Sequence, residues 1–275
     1  MNFFDERPIG LFDSGVGGLS VLKKMREVFP KENFIYIADT LRVPYGDRSP
    51  EEIKNFTIQC FGILKEQNIK SGIIACNTST CYGLDGVCET YDFPTLGVVL
   101  PAIKDAIKAT DNKKVLLLGT NATVNSGLYE NTMSSLDSEI EIKSQGCPDL
   151  VVAIEEGHGE DDIGYEICKQ YLDPYKDFDY DTLILGCTHF PLAESNIRLV
   201  LREQEKDVRI VNPAFATAKE MEELLKNENK LNNKGSGKIK FLVSGDESKF
   251  KFVAADVLNL REDEIDIEKF NPESK

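Results

Sequence analysis

The sequence predicts an α/β protein of two similar three-layer α/β domains with mainly parallel sheets and an active site in the cleft between them. Three observations predict this class: a length of 275 residues, short apolar runs that alternate with helical patterns, and one strand-end pattern that occurs twice. A typical domain has roughly 150 residues, so the length favours two domains, with one large α/β domain as the alternative. Hydrophobic residues make up 41% of the chain, which is enough for one or two cores.

Apolar runs with little polar alternation predict strands that are covered on both faces. The intervening segments have helical spacing, so helices are expected to flank each sheet. One helix is predicted to begin after Ser49, where a proline and Glu52 complete a capping box, and to end near Gln67. A surface loop is expected at 227–237 and a solvated acidic tail after Arg261. The predicted strands are 9–12, 34–37, 72–75, 114–118, 183–185, 208–211 and 238–243.

The charge and the composition exclude several classes of partner. Thirty-two basic and 47 acidic side chains give a net charge of −15, which repels phosphate backbones and anionic membranes. We therefore expect neither nucleic acid nor a membrane as partner, and no apolar run approaches the ~20 residues of a spanning helix. The seven cysteines form no tight framework and the first residues have no signal-peptide pattern, so a cytoplasmic protein with reduced thiols is expected.

One pattern occurs twice, about one domain length apart. An apolar strand is followed by a cysteine and small polar residues, first at Cys76 and again at Cys187. Because the active sites of parallel α/β sheets lie at the carboxyl ends of strands, we expect these two ends, one per domain, to face each other across a cleft. A single cysteine is more often structural than functional, but two at matching strand ends favour a thiolate base or nucleophile.

The first predicted strand runs into a glycine-rich turn, Asp13-Ser-Gly-Val-Gly-Gly18, which opens a helical pattern. Such a turn presents backbone N–H groups and the positive end of a helix dipole to an anion. The dinucleotide fingerprint fails because Ser20 stands at its third glycine, and the nucleotide P-loop lacks its Gly-Lys-Ser/Thr. The turn therefore favours a small carboxylate over a nucleotide, with a plain strand-to-helix connection as the alternative.

The other polar candidates are weighed one by one. His189 follows Cys187 by two residues, where an imidazole can tune a thiol, whereas His158 lies in a stretch typical of a solvated loop. Tyr45 and the Gly46 N–H follow another strand and are placed to close over a ligand, with an ordinary turn as the alternative. No metal site is expected, since the cysteines lack a ligand-pair spacing. The cysteines expected to fill space in the structure are Cys60, Cys81, Cys88, Cys147 and Cys168.

Several motifs together resemble those of the glutamate racemase family. They occur in the family's order and approximate spacing from Pro8 to about Val257, and the two cysteine motifs are highly specific when they occur together. Two positions depart from the pattern: Ser79 stands where many members have alanine, and Ala102 where glycine is frequent. The motifs are Phe12-Asp-Ser-Gly-Val-Gly-Gly18, Arg42-Val-Pro-Tyr-Gly46, Cys76-Asn-Thr78, Gly119-Thr-x-Ala-Thr123, Cys147-Pro followed by Glu155-Glu-Gly157, and Gly186-Cys-Thr-His189.

The resemblance implies a cofactor-independent racemase that acts on glutamate as its small-molecule substrate and supplies D-glutamate for peptidoglycan. It implies a second α/β domain (99–207) inserted into the first (1–98 plus 208–275), and it leaves room for a homodimer. Cys76 and Cys187 are then the two proton donors and acceptors, and Asp13, Glu155 and His189 are their assisting groups. The positions implied to hold the substrate are Asp13, Ser14, Tyr45, Gly46, Asn77, Thr78, Thr188 and His189.

The chemistry of these residue types agrees with a two-base scheme. Removal of an α-proton builds negative charge beside a carboxylate, so amide, hydroxyl and N–H donors are needed around it. Inversion also needs a proton delivered to the opposite face, which two bases on opposite walls reach directly. Two alternatives stay open: a racemase or isomerase of another acidic substrate such as aspartate, and a non-catalytic carboxylate-binding protein in which both cysteines belong to the core.

Overall fold

The computed structural model describes residues 5–273, and all elements below lie in this range. Short 3₁₀ helices lie at Tyr45–Asp47, Asp173–Tyr175, Phe190–Ala193 and Glu262–Glu264. The strands are β1 (Ile9–Asp13), β2 (Phe34–Ala38), β3 (Ser71–Ile74), β4 (Thr95–Gly97), β5 (Lys114–Gly119), β6 (Glu141–Gly146), β7 (Thr182–Gly186), β8 (Arg209–Val211), β9 (Ile239–Val243) and β10 (Ile267–Lys269). The α-helices are α1 (Leu19–Val28), α2 (Pro50–Glu66), α3 (Asn77–Thr90), α4 (Val99–Ala109), α5 (Asn121–Asn125), α6 (Leu128–Leu136), α7 (Pro148–Glu155), α8 (Asp162–Leu172), α9 (Glu194–Glu203), α10 (Pro213–Asn227) and α11 (Glu247–Leu258).

These elements form two compact units, each with its own sheet. The first unit comprises the chain up to Val98 and from Ala214 onward, and the second runs from Val99 to Pro213. The pairings between described strands are parallel in both sheets, as the sequence predicts. The chain returns to the first unit at Ala214 rather than at residue 208, because β8 pairs with β7 in the second sheet.

The sheet of the first unit has the strand order β10-β9-β2-β1-β3-β4. β1 and β2 are buried along their whole length, which agrees with their unbroken apolar sequences. β2 pairs on one side with β1, where Asp13 lies opposite Ala38, and on the other side with β9. Apolar residues of α1, α10 and α11, among them Met25, Met221 and Phe250, pack in one cluster with these strands.

The sheet of the second unit has the order β6-β5-β7-β8 and repeats a pattern of the first. In the first unit β3, which is followed by Cys76, lies beside β1, the first strand of that unit. In the second unit β7, which is followed by Cys187, likewise lies beside β5, the first strand there. β7 is wholly buried, and its Leu183 and Leu185 belong to a cluster with Leu150 of α7 and Ile197 of α9. The strand that precedes the cysteine is therefore an inner strand of each sheet.

The structure adds strands that the sequence patterns do not indicate. β4 has three residues, and β6 is a half-exposed edge strand whose polar residues hide the apolar signal. The solvated tail expected after Arg261 is wrong for most of that segment, since a 3₁₀ helix and β10 follow, and β10 pairs with β9. Ile265, which is 3% exposed, anchors this segment in the first core.

A buried ion pair fastens the amino-terminal ends of the strands in the first unit. The Lys70 ammonium, just before β3, donates to Glu32 Oε2 at 2.6 Å and to the carbonyls of Asp5 and Lys230 at 2.9 and 2.8 Å. The other carboxylate oxygen of Glu32 accepts the N–H of Asn232 at 2.7 Å. Four segments that are distant in sequence are joined here. Among the helices of residues 5–273, none is both long and apolar enough to cross a bilayer.

Candidate active site

Cys76 lies where β3 ends and α3 begins. It is the N-cap of α3, and its sulfur accepts a hydrogen bond from the N–H of Ser79 at 3.4 Å. The hydroxyl oxygen of Ser14 lies 3.7 Å from the same sulfur, and either atom can donate. The Cys76 side chain is nearly buried, so its thiol is surrounded by a few specific polar groups rather than by bulk water.

The glycine-rich turn after β1 places Asp13 and Ser14 next to the end of β3. Asp13 is the last residue of β1, is fully buried, and accepts the N–H of Gly15 at 2.7 Å. The hydroxyl of Tyr36 donates to the Gly15 carbonyl at 3.1 Å and holds the turn from β2. A Cβ at Gly18 would lie 2.6 Å from the Asp13 Cβ, so glycine is needed for this close approach.

The surroundings of Cys76 disfavour its charged form. Burial, and after it the charge of Asp13, raise the pKa of the Cys76 thiol to about 11, although hydrogen bonds from Ser79 and Ser14 act in the opposite direction. At neutral pH the thiol is therefore protonated. To act as a base, Cys76 needs the donors around it to stabilise the thiolate.

Asn77 and Thr78 form the start of α3 directly after Cys76. Their side chains are 2% and 3% exposed, and the backbone N–H groups of this first turn lie at the positive end of a helix of fourteen residues. Both are among the residues that the resemblance assigns to the substrate. Their place beside Cys76 suits the binding of an anionic group near the thiol.

The predicted Tyr45 and Gly46 lie in the 3₁₀ helix after β2, and the structure adds a network that holds this loop. The Tyr45 hydroxyl and the Arg42 Nε both donate to Asp39 Oδ2 at 2.5 Å, and the Ser244 hydroxyl donates to Asp39 Oδ1 at 2.9 Å. Burial raises the pKa of Tyr45, so its hydroxyl remains a donor. Asp39 and Ser244 were missed from the sequence because they are 205 residues apart.

Cys187 directly follows β7 in the second unit and has different neighbours. Its sulfur lies 3.7 Å from His189 Nδ1, and His189 Nε2 lies 3.3 Å from Glu155 Oε1, at the end of α7. Cys187 and His189 are each 6% exposed. The structure thus brings Glu155, which is distant in sequence, to the neighbouring Cys187 and His189 in a thiol–imidazole–carboxylate series.

Thr188 and Thr120 complete the polar surroundings of this strand end. Thr188 follows Cys187 and is 5% exposed. Thr120 follows β5, whose Gly119 lies opposite Gly186 of β7, and its hydroxyl caps α5 by accepting the N–H of Thr123. Thr120 therefore corresponds in position to the turn after β1, and in the sequence it stands within the Gly119-Thr-x-Ala-Thr123 motif without an assigned role.

Other polar candidates lie outside these two clusters. The ring of His158 contacts Asp161 at 2.7 Å on the surface between α7 and α8, as expected for a solvated loop. Cys60, Cys147 and Cys168 are buried, but Cys88 is exposed, so its expected filling role is wrong. Within residues 5–273, no group of three or more histidine, cysteine or acidic side chains is arranged to hold a metal ion.

The arrangement of two parallel α/β sheets with a thiol after an inner strand of each agrees with the comparison to known families. Residues 9–221 match the family described as Asp/Glu/Hydantoin racemase. The chain belongs to this racemase family.

Within the family, the chain is similar to glutamate racemases over nearly its whole length. Glutamate racemase 2 of Caldanaerobacter subterraneus subsp. tengcongensis is 43% identical over 269 residues, which cover 97% of this chain and 100% of that protein. A crystal structure of a glutamate racemase isoform from Bacillus anthracis has a TM-score of 0.91 at 35% identity and covers 97% of this chain and 98% of that one. A glutamate racemase of Francisella tularensis in complex with D-glutamate has a TM-score of 0.90 at 32% identity, covering 99% and 100% of the two chains.

Proposed function

We propose that this protein is a cofactor-independent glutamate racemase that interconverts L-glutamate and D-glutamate by proton transfer between two cysteines. The observation that carries the proposal is the pair of nearly buried thiols, Cys76 and Cys187, that follow corresponding inner strands and have their own acid–base neighbours. The similarity to glutamate racemases along almost the entire chain supports glutamate as the substrate.

In the proposed reaction one thiolate removes the α-proton and the other thiol returns a proton to the opposite face. The substrate leaves inverted, and the two cysteines exchange their protonation states. The reverse direction uses the same groups with the roles exchanged. Because the two thiols carry both protons, the scheme calls for no cofactor.

Each thiol has a group that helps it to lose or regain its proton. His189 is placed to take the proton of Cys187, and Glu155 stabilises the imidazolium that results. On the other side, the Ser14 and Ser79 donors stabilise the Cys76 thiolate, while the nearby Asp13 favours the protonated thiol. This balance lets Cys76 serve as a base in one direction and as an acid in the other.

The α-carboxylate of the substrate must be held by donors while carbanion character develops beside it. Asn77 and Thr78 at the start of α3, and Thr188 after Cys187, supply amide and hydroxyl donors at the two strand ends. Tyr45 and the Gly46 N–H complete the proposed binding positions from the loop that Asp39 holds. The product D-glutamate would serve peptidoglycan synthesis in the cytoplasm.

The direct test is to incubate the purified protein with L-glutamate, without added cofactor, and to follow optical rotation. Rotation should fall to zero as the racemic mixture forms, and D-glutamate should give the mirror-image curve. L-aspartate is the matched substrate, shorter by one methylene, and should react far more slowly. Equal or faster racemisation of aspartate would assign the other acidic substrate, and no change with either would contradict the proposed activity.

Solvent deuterium then counts the bases. With two bases, the thiol that abstracts keeps the proton of the substrate while the opposite thiol delivers deuterium from D₂O. At low conversion, NMR should therefore show product labelled at the α-carbon and remaining substrate nearly unlabelled, starting from either enantiomer. Early labelling of the substrate pool from both directions would favour a single base and would return one cysteine to a structural role.

A further inference from the structure

Ser79 lies in the first turn of α3, three residues after Cys76, and is fully buried. Its backbone N–H already donates to the Cys76 sulfur at 3.4 Å. Its hydroxyl makes no hydrogen bond of regular geometry with the residues that the structure describes. A buried hydroxyl without an acceptor is costly, and a thiolate at the neighbouring Cys76 sulfur would supply one.

We propose that the Ser79 hydroxyl is a positioning group that donates a hydrogen bond to the Cys76 sulfur when this thiol ionises, and so holds the thiolate in place for proton abstraction. The proposal rests on the glutamate racemase function above and names a residue that assists one of its two bases. Ser79 itself touches neither the substrate nor the transferred proton.

The ionisation of Cys76 supplies the acceptor that the hydroxyl lacks. A neutral thiol is a weak acceptor, whereas a thiolate is a strong one, and a hydrogen bond to a charged acceptor is about twice as strong as a neutral one. The N–H of the same residue points at the same sulfur, so the short side chain starts next to its target. The bond therefore forms mainly in the state that abstracts the proton.

The electrostatics of the site agree with this role. The Asp13 carboxylate is the charged group that faces Cys76, from β1, and both burial and this charge raise the pKa of the thiol. Hydrogen bonds to the ionised sulfur from the Ser79 hydroxyl, the Ser79 N–H and the Ser14 hydroxyl lower it. Ser79 thus opposes the two effects that raise the pKa of Cys76.

The test uses the pH dependence of alkylation at Cys76. Iodoacetamide forms a carbon–sulfur bond with a thiolate and releases iodide, and mass spectrometry of peptides measures the rate at Cys76 alone. Ser79→Ala should raise the midpoint pH of this reaction by about one unit, since one hydrogen bond to a charged acceptor is lost. Ser79→Thr, which keeps a hydroxyl, should lie closer to the wild type than to the alanine variant.

The matched control is Ser71→Ala at the other end of β3. Ser71 is also fully buried, and its hydroxyl likewise makes no hydrogen bond within the described residues. It is distant from Cys76 along the strand, so its removal should leave the alkylation midpoint unchanged. An unchanged midpoint in Ser79→Ala, or an equal shift in Ser71→Ala, would overturn the proposal.

Racemisation gives a second measurement. L- and D-glutamate have equal free energies, so kcat/KM must stay equal in the two directions. At pH values below the midpoint of alkylation, Ser79→Ala should therefore lower both values of kcat/KM by the same factor, about threefold to tenfold. The alkylation shift does not depend on turnover. A wild-type protein that fails to racemise glutamate but shows the shift would contradict the proposed function and leave the role of Ser79 intact.

Discussion

Cys76 and Cys187 follow corresponding strands of two sheets, but the chain continues differently after each. Cys76 caps a long helix at once, and its sulfur is approached by the N–H of Ser79 and the hydroxyl of Ser14. Cys187 enters a bend and a 3₁₀ helix, which brings the ring of His189 to its sulfur. The scaffold repeats, and the acid–base neighbours do not.

If both cysteines act as proposed, one strand-end position activates a thiol by two physical routes. The first unit offers hydroxyl and N–H donors that stabilise a thiolate without taking its proton. The second offers an imidazole that can take the proton and a carboxylate that stabilises the resulting charge. If both thiols act on one substrate, a substitution beside one thiol should change the reactivity of that thiol and leave the other unchanged.

The largest effect is expected from removal of either thiol. Cys76→Ala and Cys187→Ala should each lower kcat for racemisation by about 10³-fold or more, because each removes one of two required proton carriers. Cys88→Ala, at an exposed cysteine of α3, is the control and should retain full activity. Optical rotation measures the rates, and thermal unfolding shows that the variants are folded. Near wild-type turnover in either active-site variant would disprove the two-thiol scheme.

A smaller loss, about 10²-fold in kcat, is expected when the acid–base neighbour of either thiol is replaced. The rate of alkylation of the neighbouring thiol should change in opposite directions in the two units. Asp13→Asn removes a charge that raises the pKa of Cys76, so alkylation of Cys76 at neutral pH should become faster. His189→Asn removes the imidazole beside Cys187, so alkylation of Cys187 should become slower. Peptide-resolved alkylation of both cysteines in both variants is the measurement. If each variant changed both thiols alike, the partners would not be separate.

The smallest effect is expected at the loop of Tyr45. Asp39→Asn weakens the acceptor of the Tyr45 and Arg42 donors and should raise KM for glutamate about tenfold with kcat nearly unchanged, because it disturbs the proposed binding loop rather than a thiol. Asp47→Asn, at an exposed carboxylate of the 3₁₀ helix that begins at Tyr45, is the matched control. Initial rates over a range of glutamate concentrations separate the two constants. A loss confined to kcat would place Asp39 in the chemistry instead.

The inner strands were predictable because their burial on both faces leaves unbroken apolar runs, as in β1 and β7. The edges were not. β6 mixes charged and apolar residues, since one side of an edge strand meets water, and β10 is held by its pairing with β9 rather than by its own composition. Patterns along the chain report burial, and an edge strand has little of it.

The candidate site divides in the same way. The two cysteines and His189 were visible because they lie close together along the chain or in a repeated pattern. Glu155 was known only through the family resemblance, and its place near His189 depends on where α7 ends. Asp39 was not predictable because it accepts a hydrogen bond from Ser244, which is distant in sequence. Ser79 was not predictable because its contact with Cys76 depends on where α3 begins. Neither contact has a signature in composition or spacing.

β2 lies between β1 and β9, and these two neighbours leave the ribosome at very different times. β1 is made just before β2, but β9 begins at Ile239, roughly 200 residues later, which at 5–20 residues per second is a delay of about 10 to 40 s. The second unit is continuous from Val99 to Pro213 and is complete before β9 exists. The unit that synthesis begins first is therefore finished last, and until then the apolar strand Phe34–Ala38 has an open edge that the growing chain must keep from pairing with other proteins.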